Sequence, residues 1–133
     1  MAKKLLERYT ALVVDDSGTA RSILVGLLDE LGIKGVKVLS DGKQVVPHLE
    51  IGNRPSFILL DWTMRDMHGI DVLKAIRNHD NPKIKSIPII MVTAEAKKDN
   101  IVDAIKAGIT GYVTKPFTGA ILEERIKKVL KLT

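Results

Sequence analysis

The 133-residue chain contains no cysteine, which excludes disulfides and thiolate metal sites and fits a reducing, cytoplasmic setting. Aromatic residues are scarce: two Phe, two Tyr and one Trp leave little with which to stack nucleic-acid bases. Long apolar runs are missing too, since stretches such as 58–60 and 89–92 fall far short of the roughly 18 residues that suggest a membrane span. At the N-terminus, Glu7 and Arg8 interrupt MAKKLLERY before an apolar signal core can form, so no targeting segment is expected. The formal net charge is +5, yet the lysines are dispersed, without a basic block or interleaved aromatics. Neither nucleic acid nor a membrane is therefore expected as a partner.

What is present is enough apolar material for one core. With 45% hydrophobic residues, a single domain over 1–133 is expected, without staples. Short β-like runs at 10–14, 36–39, 57–60, 87–92 and 111–114 alternate with longer segments of helical period. Three of the runs are almost continuously apolar, as strands covered on both faces are. Ile23, Leu24, Leu27, Leu28 and Leu31 recur at helical spacing and stop at Gly32, a plausible C-terminal cap. Residues 71–77 and 97–107 read as further helices, the second closing at Gly108. Thr118 precedes a last helix that should turn Ile121, Leu122, Ile126, Val129 and Leu130 inward. Pro47, inside GKQVVPHLE, predicts a short or kinked second helix. Asn81-Pro82 and the segment 53–56 read as loops. Five strands alternating with five helices predict an α/β fold, a doubly wound parallel sheet with helices on both faces.

Four of the strands end in residues suited to handling a phosphoryl group: Asp15 and Asp16, Asp61, Thr93 with Ala94, and Lys115. In an open parallel sheet the carboxyl ends of the strands face one crevice, so these residues should share a pocket. Three clustered carboxylates repel one another unless a cation neutralises them, and Mg2+ is the hard divalent ion that takes carboxylates, waters and phosphate oxygens together. A simpler account would have Asp15 and Asp16 cap the first helix. Thr93 could donate to a phosphoryl oxygen and Lys115 could neutralise charge, although each alone is compatible with an ordinary strand or surface residue.

The ordered set LVVDDS, DW-x-M-x-x-M-x-G, MVTAEAKK and GYVTKPFT resembles the receiver domain of two-component response regulators, especially its single-domain chemotaxis branch, over nearly the whole chain. The resemblance implies a flavodoxin-like sheet of order 2-1-3-4-5, for which chemotaxis receivers are themselves a standard example. It makes Asp61 the phosphoryl acceptor and Asp16, Asp61 and the backbone carbonyl of Thr63 the direct Mg2+ ligands, with Asp15 assisting through water. It has Thr93 hydrogen-bond the arriving phosphoryl group and Lys115 pair with it, and it implies a cis bond at Lys115-Pro116. Phosphorylation would then draw Thr93 toward the phosphate and turn Tyr112 inward; without the resemblance, Tyr112 reads equally as a half-buried strand aromatic. The partner face would comprise Lys97, Lys98, Ile101, Ile105, Tyr112 and Arg125, apolar contacts ringed by positive charge. The implied partners are a chemotaxis-type histidine kinase, the flagellar motor switch and, optionally, a phosphatase, acting on a cytoplasmic monomer.

Three positions depart from the family's usual pattern. Arg65 stands where proline is usual, which should leave the loop after Asp61 freer and more basic. Thr63 replaces a frequent Asn, and His68 a more usual acidic residue; neither His68, His48 nor His79 has a partner at metal-ligand spacing. Because the chain would modify only itself, it is not expected to be an enzyme in the usual sense. A Mg2+-dependent phosphohydrolase would need a substrate-recognition insert, and a transcription factor would need more than the Lys131, Leu132 and Thr133 that follow the last helix. A phosphorelay intermediate or phosphate sink would use the same pocket. A binding module that signals without phosphorylation would have no use for the full acidic set.

Overall fold

A computed structural model of the chain describes residues 6–94 and 97–132, so Glu95 and Ala96 of the MVTAEAKK segment, residues 1–5 and Thr133 lie outside the described residues. Five parallel strands, β1 (Thr10–Val14), β2 (Gly35–Leu39), β3 (Phe57–Asp61), β4 (Ile89–Thr93) and β5 (Gly111–Thr114), form one sheet of order β2-β1-β3-β4-β5. Five substantial helices connect and follow them: α1 (Gly18–Glu30), α2 (Val45–Glu50), α3 (Gly69–Arg77), α4 (Lys98–Ala107) and α5 (Gly119–Val129). Among the described residues, no helix is long and apolar enough to cross a membrane.

Strand alternation splits the core into two layers. Leu12, Val14, Ile58, Leu60, Ile89 and Met91 face α2, α3 and α4 and meet Val45, Leu49, Val72, Leu73, Ile76 and Ala104. Ala11, Val13, Phe57, Leu59, Ile90, Val92 and Val113 face α1 and α5 and meet Leu24, Leu28, Leu122, Ile126 and Val129. All five residues of β3 and of β4 are buried, which accounts for the unbroken apolar runs 57–60 and 89–92 that precede the polar strand ends Asp61 and Thr93. Strand β2 lies at an edge and is correspondingly exposed.

The helix faces differ from expectation at two places. Ile23 is 57% and Ile121 45% exposed, because each precedes by one residue, about 100° of helix rotation, the stripe that Leu24 and Leu28 or Leu122, Ile126 and Val129 carry inward. The second helix is short, as expected, at six residues; Pro47 is its third, within the first turn, where an N–H has no intrahelical acceptor. A three-residue 3-10 turn, Gly42–Gln44, leads into that helix. Asn81-Pro82 does not simply mark a loop. It opens a one-turn helix, Pro82–Lys85, in which the Asn81 side chain accepts from the Lys83 N–H and proline takes the first position. Strand β4 consequently starts at Ile89, two residues later than the apolar run suggests, since the Ile87 N–H closes that turn on the Ile84 carbonyl. Gly108, with φ of +101°, ends α4 in the left-handed conformation as expected.

Arg77, the last residue of α3, draws these connections together. Its Nε donates to the Gly108 carbonyl, and its Nη1 donates to the carbonyls of Lys85 and Ile87, each at 2.8 Å. We predict that Arg77→Met, which keeps much of the aliphatic stem but leaves these acceptors without a donor, lowers unfolding free energy by about 2–4 kcal/mol, read from the urea midpoint.

Candidate functional site

Strand register delivers the acidic residues to one level. Val14 pairs with Leu60, so Asp15 leaves β1 beside Asp61 at the end of β3; Asp61 in turn pairs with Val92, one residue before Thr93. Thr93 pairs with Thr114, and Lys115 follows. The Lys115-Pro116 bond is cis.

Asp15 and Asp16 do not cap α1. Ser17 does, its hydroxyl accepting from the Ala20 N–H at 3.2 Å. Asp15 is buried, with its N–H on the Leu39 carbonyl and its own carbonyl accepting from Arg21 Nη1 at 2.8 Å. Its Oδ1 accepts from the Ser17 N–H, whereas its buried Oδ2 accepts no hydrogen bond among the described residues. A buried carboxylate oxygen in that state is costly unless a cation meets it.

Asp61 is held from behind by a close backbone approach. A Cβ on Gly69 would stand 2.7 Å from the Asp61 carbonyl oxygen and 2.9 Å from the Trp62 Cα, so only glycine lets the start of α3 press against the end of β3. The Gly69 N–H bonds the Trp62 carbonyl, and the Thr63 N–H reaches Asp61 Oδ1 at 3.4 Å.

One carboxylate oxygen from each of Asp15, Asp16 and Asp61 lies within 4.8 Å of the other two. Lys115 Nζ sits 3.6 Å from Asp15 Oδ2 and 3.9 Å from Asp61 Oδ1. Asp61 is only 7% exposed, and burial, followed by the neighbouring Asp15 charge, pushes its carboxyl up to about 6; Lys115 and the Thr63 N–H oppose that rise. A hard divalent cation suits this donor set: carboxylate oxygens in excess of positive charge, one of them buried and without a donor.

The pocket therefore gathers Asp15, Asp16, Asp61 and Lys115, with buried Thr93 at the adjoining strand end and exposed Thr63 in the following loop. The residues expected at the partner face lie on α4, β5 and α5. Half-buried Tyr112 and Ile101 each pack at the margin of the same core layer, and the Tyr112 carbonyl accepts from Arg125 Nε at 3.1 Å. Ile101 and Ile105, one turn apart, take different roles: Ile105 is 60% exposed. Lys97 and Lys98, at the start of α4, are exposed.

Sequence reasoning missed two polar pairings. Arg65, treated as loosening its loop, ties that loop to Asp16: its N–H, which proline would lack, and its Nε both donate to Asp16 Oδ2, at 3.0 and 3.3 Å. No spacing rule connects two residues so distant in the chain. His79 accepts from the Asn81 N–H through Nδ1 and turns Nε2 to Glu50 at 2.9 Å, bridging α2 and the end of α3; His68 occupies the N-cap of α3 without a side-chain cap bond.

The Asp61 carboxyl predicts an unusual pH dependence for the metal-free protein. Between an ordinary carboxyl pKa near 4 and the folded value of about 6, the folded state binds more protons than the unfolded state, so Asp61 adds stability as pH falls through that window and opposes folding above it. Asp61→Asn should raise unfolding free energy at pH 7.5 by about 1–3 kcal/mol and remove this component of the pH slope, both measurable by urea denaturation without divalent metal.

The geometry agrees with relatives of known type. The response regulator receiver domain pattern matches residues 11–127. The chain is 44% identical over 120 residues to the chemotaxis protein CheY of Pseudomonas aeruginosa, covering 90% of this chain and 94% of the relative. It is 42% identical over 120 residues to CheY-3 of Vibrio cholerae, covering 90% of each. The crystal structure of Vibrio cholerae CheY4 superposes with a TM-score of 0.82 at 28% identity, covering 91% of this chain and 98% of that one. The receiver domain of the sensor histidine kinase PA1611 from Pseudomonas aeruginosa, solved with a magnesium ion coordinated in its active-site cleft, superposes with a TM-score of 0.81 at 28% identity, covering 92% and 98%. By fold, pocket and sequence, the chain belongs to the response regulator receiver domain family of two-component signalling.

Proposed function

We propose that the chain, acting as one receiver domain over 1–133, is a chemotaxis response regulator switched by phosphorylation of Asp61. The observation that carries this reading is the convergence of three carboxylates and Lys115 at the carboxyl ends of the strands, with the buried Asp15 Oδ2 lacking a donor. Asp16, Asp61 and the Thr63 carbonyl are the Mg2+ ligands in this reading, with Asp15 joined through water. Bound there, Mg2+ supplies neutralising charge for the carboxylates and for phosphoryl oxygens.

At neutral pH the Asp61 carboxyl lies mostly ionised, above its value of about 6. A carboxylate oxygen attacks the phosphorus of a phosphohistidine on a chemotaxis-type kinase, the P–N bond breaks, and the departing imidazole nitrogen keeps its electron pair and takes up a proton. Lys115 balances negative charge on the transferring group and Thr93 donates its hydroxyl to a phosphoryl oxygen, so the protein contributes mainly position and electrostatics. In the reset, water attacks the phosphorus and the P–O bond to Asp61 breaks, restoring the carboxylate and releasing phosphate. The exposed side chain of Thr63 stands beside the path for that water, and a phosphatase partner would act at the same place.

The added phosphoryl charge biases Thr93 and Tyr112, and through them the face formed by Lys97, Lys98, Ile101, Ile105 and Arg125. Exposed Ile105 among cations suits an amphipathic acidic peptide of the flagellar motor switch. The names of the two relatives, both chemotaxis proteins, support the chemotaxis part of this reading.

Trp62 adjoins Asp61 and is the only tryptophan, so its fluorescence should change reversibly with Mg2+ and again when a small phosphoramidate or acyl phosphate is added. Asp61→Asn should abolish the phosphodonor response while retaining part of the Mg2+ response; an undiminished phosphodonor response in the variant removes Asp61 as acceptor. A motor-switch peptide should bind at least several-fold more tightly with phosphodonor present. Equal affinity in both states would point to a relay intermediate or phosphate sink.

A further inference from the structure

Among the described residues, two side chains form ion pairs with the carboxylates of the acidic cluster, and they are divided between its members. Lys115 lies against Asp15 and Asp61, while Arg65 lies against Asp16. Both contacts of Arg65, through its N–H and its Nε, fall on the same carboxylate oxygen, Oδ2. The backbone bond keeps the residue at this place, and the side chain brings a full positive charge to a group that belongs to the candidate metal centre. The guanidinium is not locked in: the side chain is 86% exposed and, among the described residues, only one of its five N–H donors is engaged.

From this geometry we infer that Arg65 is a built-in counter-ion of the acidic cluster that competes with the divalent cation and sets the protein's affinity for it. The inference rests on the metal reading of the pocket given above. With no metal bound, the guanidinium relieves part of the repulsion among the three carboxylates. A divalent cation that ligates Asp16 meets that positive charge at close range, so it must either displace the side chain or bind beside it at a cost. Displacement has a destination. Arg65 and Asp16 border a polar cavity of about 250 Å3 that also touches Asp41 and Asp66, so the guanidinium can move to other carboxylates without leaving the surface. The backbone N–H to Asp16 persists through such a movement. Arg65 thus acts as a positioning residue through its main chain and as a competitor through its side chain.

The test is isothermal titration of the full chain with Mg2+ at low ionic strength, comparing the natural protein with Arg65→Gln and Arg65→Lys. Arg65→Gln keeps the backbone N–H and removes the charge, and should bind Mg2+ about three- to tenfold more tightly. Arg65→Lys should stay within about twofold of the natural protein, because it restores the charge. The salt dependence supplies a readout that a merely structural role would not move. Monovalent salt screens both the attraction of Mg2+ to the carboxylates and its repulsion by Arg65, so affinity should fall more steeply with salt in Arg65→Gln than in the natural protein. The Nε–H nuclear magnetic resonance signal of Arg65 should also shift on Mg2+ addition. Equal affinity and equal salt slope in natural protein and Arg65→Gln overturn this inference while leaving the metal reading intact. Absence of Mg2+ binding in both overturns the metal reading and this inference with it.

Discussion

Like-charge repulsion among Asp15, Asp16 and Asp61 is the constraint to which the rest of the pocket answers. The parallel register brings the ends of β1 and β3 level, and the chain has no way to bury the strands without also bringing these carboxylates together. Each nearby polar contact reduces the resulting strain on charge. The Ser17 N–H meets Asp15, the Thr63 N–H meets Asp61, Lys115 stands against both, and Arg65 holds Asp16. The compensation is incomplete: the Asp61 carboxyl is still raised to about 6, and Asp15 Oδ2 has no hydrogen-bond donor. An incompletely neutralised site stores unfavourable free energy that an incoming cation releases, which links ligand binding to stability.

That strain is tolerable because the frame around it is rigid. Two apolar layers cover the sheet, β3 and β4 are buried along their whole length, and Gly69 lets α3 press directly on the strand that carries Asp61. Arg77 ties the same helix to the beginning of β4 and the end of α4. The acidic pocket and the α4-β5-α5 face are therefore attached to one sheet, at adjacent strand ends. The face itself is less buried: Tyr112 is half-exposed and Ile105 projects into solvent. A small change in charge at a rigid site thus has a softer surface nearby on which to act.

Much of this organisation was legible in the residue pattern. The five strands were recognisable because runs covered on both faces need no polar alternation, and the placement of Asp15, Asp16, Asp61, Thr93 and Lys115 followed from where those runs stop. Helix faces were less legible. Ile23 and Ile121 are as apolar as their buried neighbours, and only the packing angle of each helix decides that they point outward. The one-turn helix after Asn81 was hidden because an Asn-Pro pair serves a turn and a helix start equally well. Arg65 was misread for a different reason: the comparison with proline suggested lost rigidity, whereas the regained N–H creates a bond to a residue across the pocket.

The sequence by itself determined the order of the elements, the sheet's two-sided burial and the kinds of group that meet at its carboxyl edge, because hydrophobic period and strand termination are local properties of the chain. Only the tertiary structure decided which cation stands against which carboxylate, that Ser17 and not an aspartate caps the first helix, that burial pushes the Asp61 carboxyl up to about 6, and that Arg65 pairs with Asp16. Those outcomes depend on separations of a few ångströms and on exclusion of water. Charge interaction varies with distance and dielectric, and neither quantity exists until the chain has closed on itself.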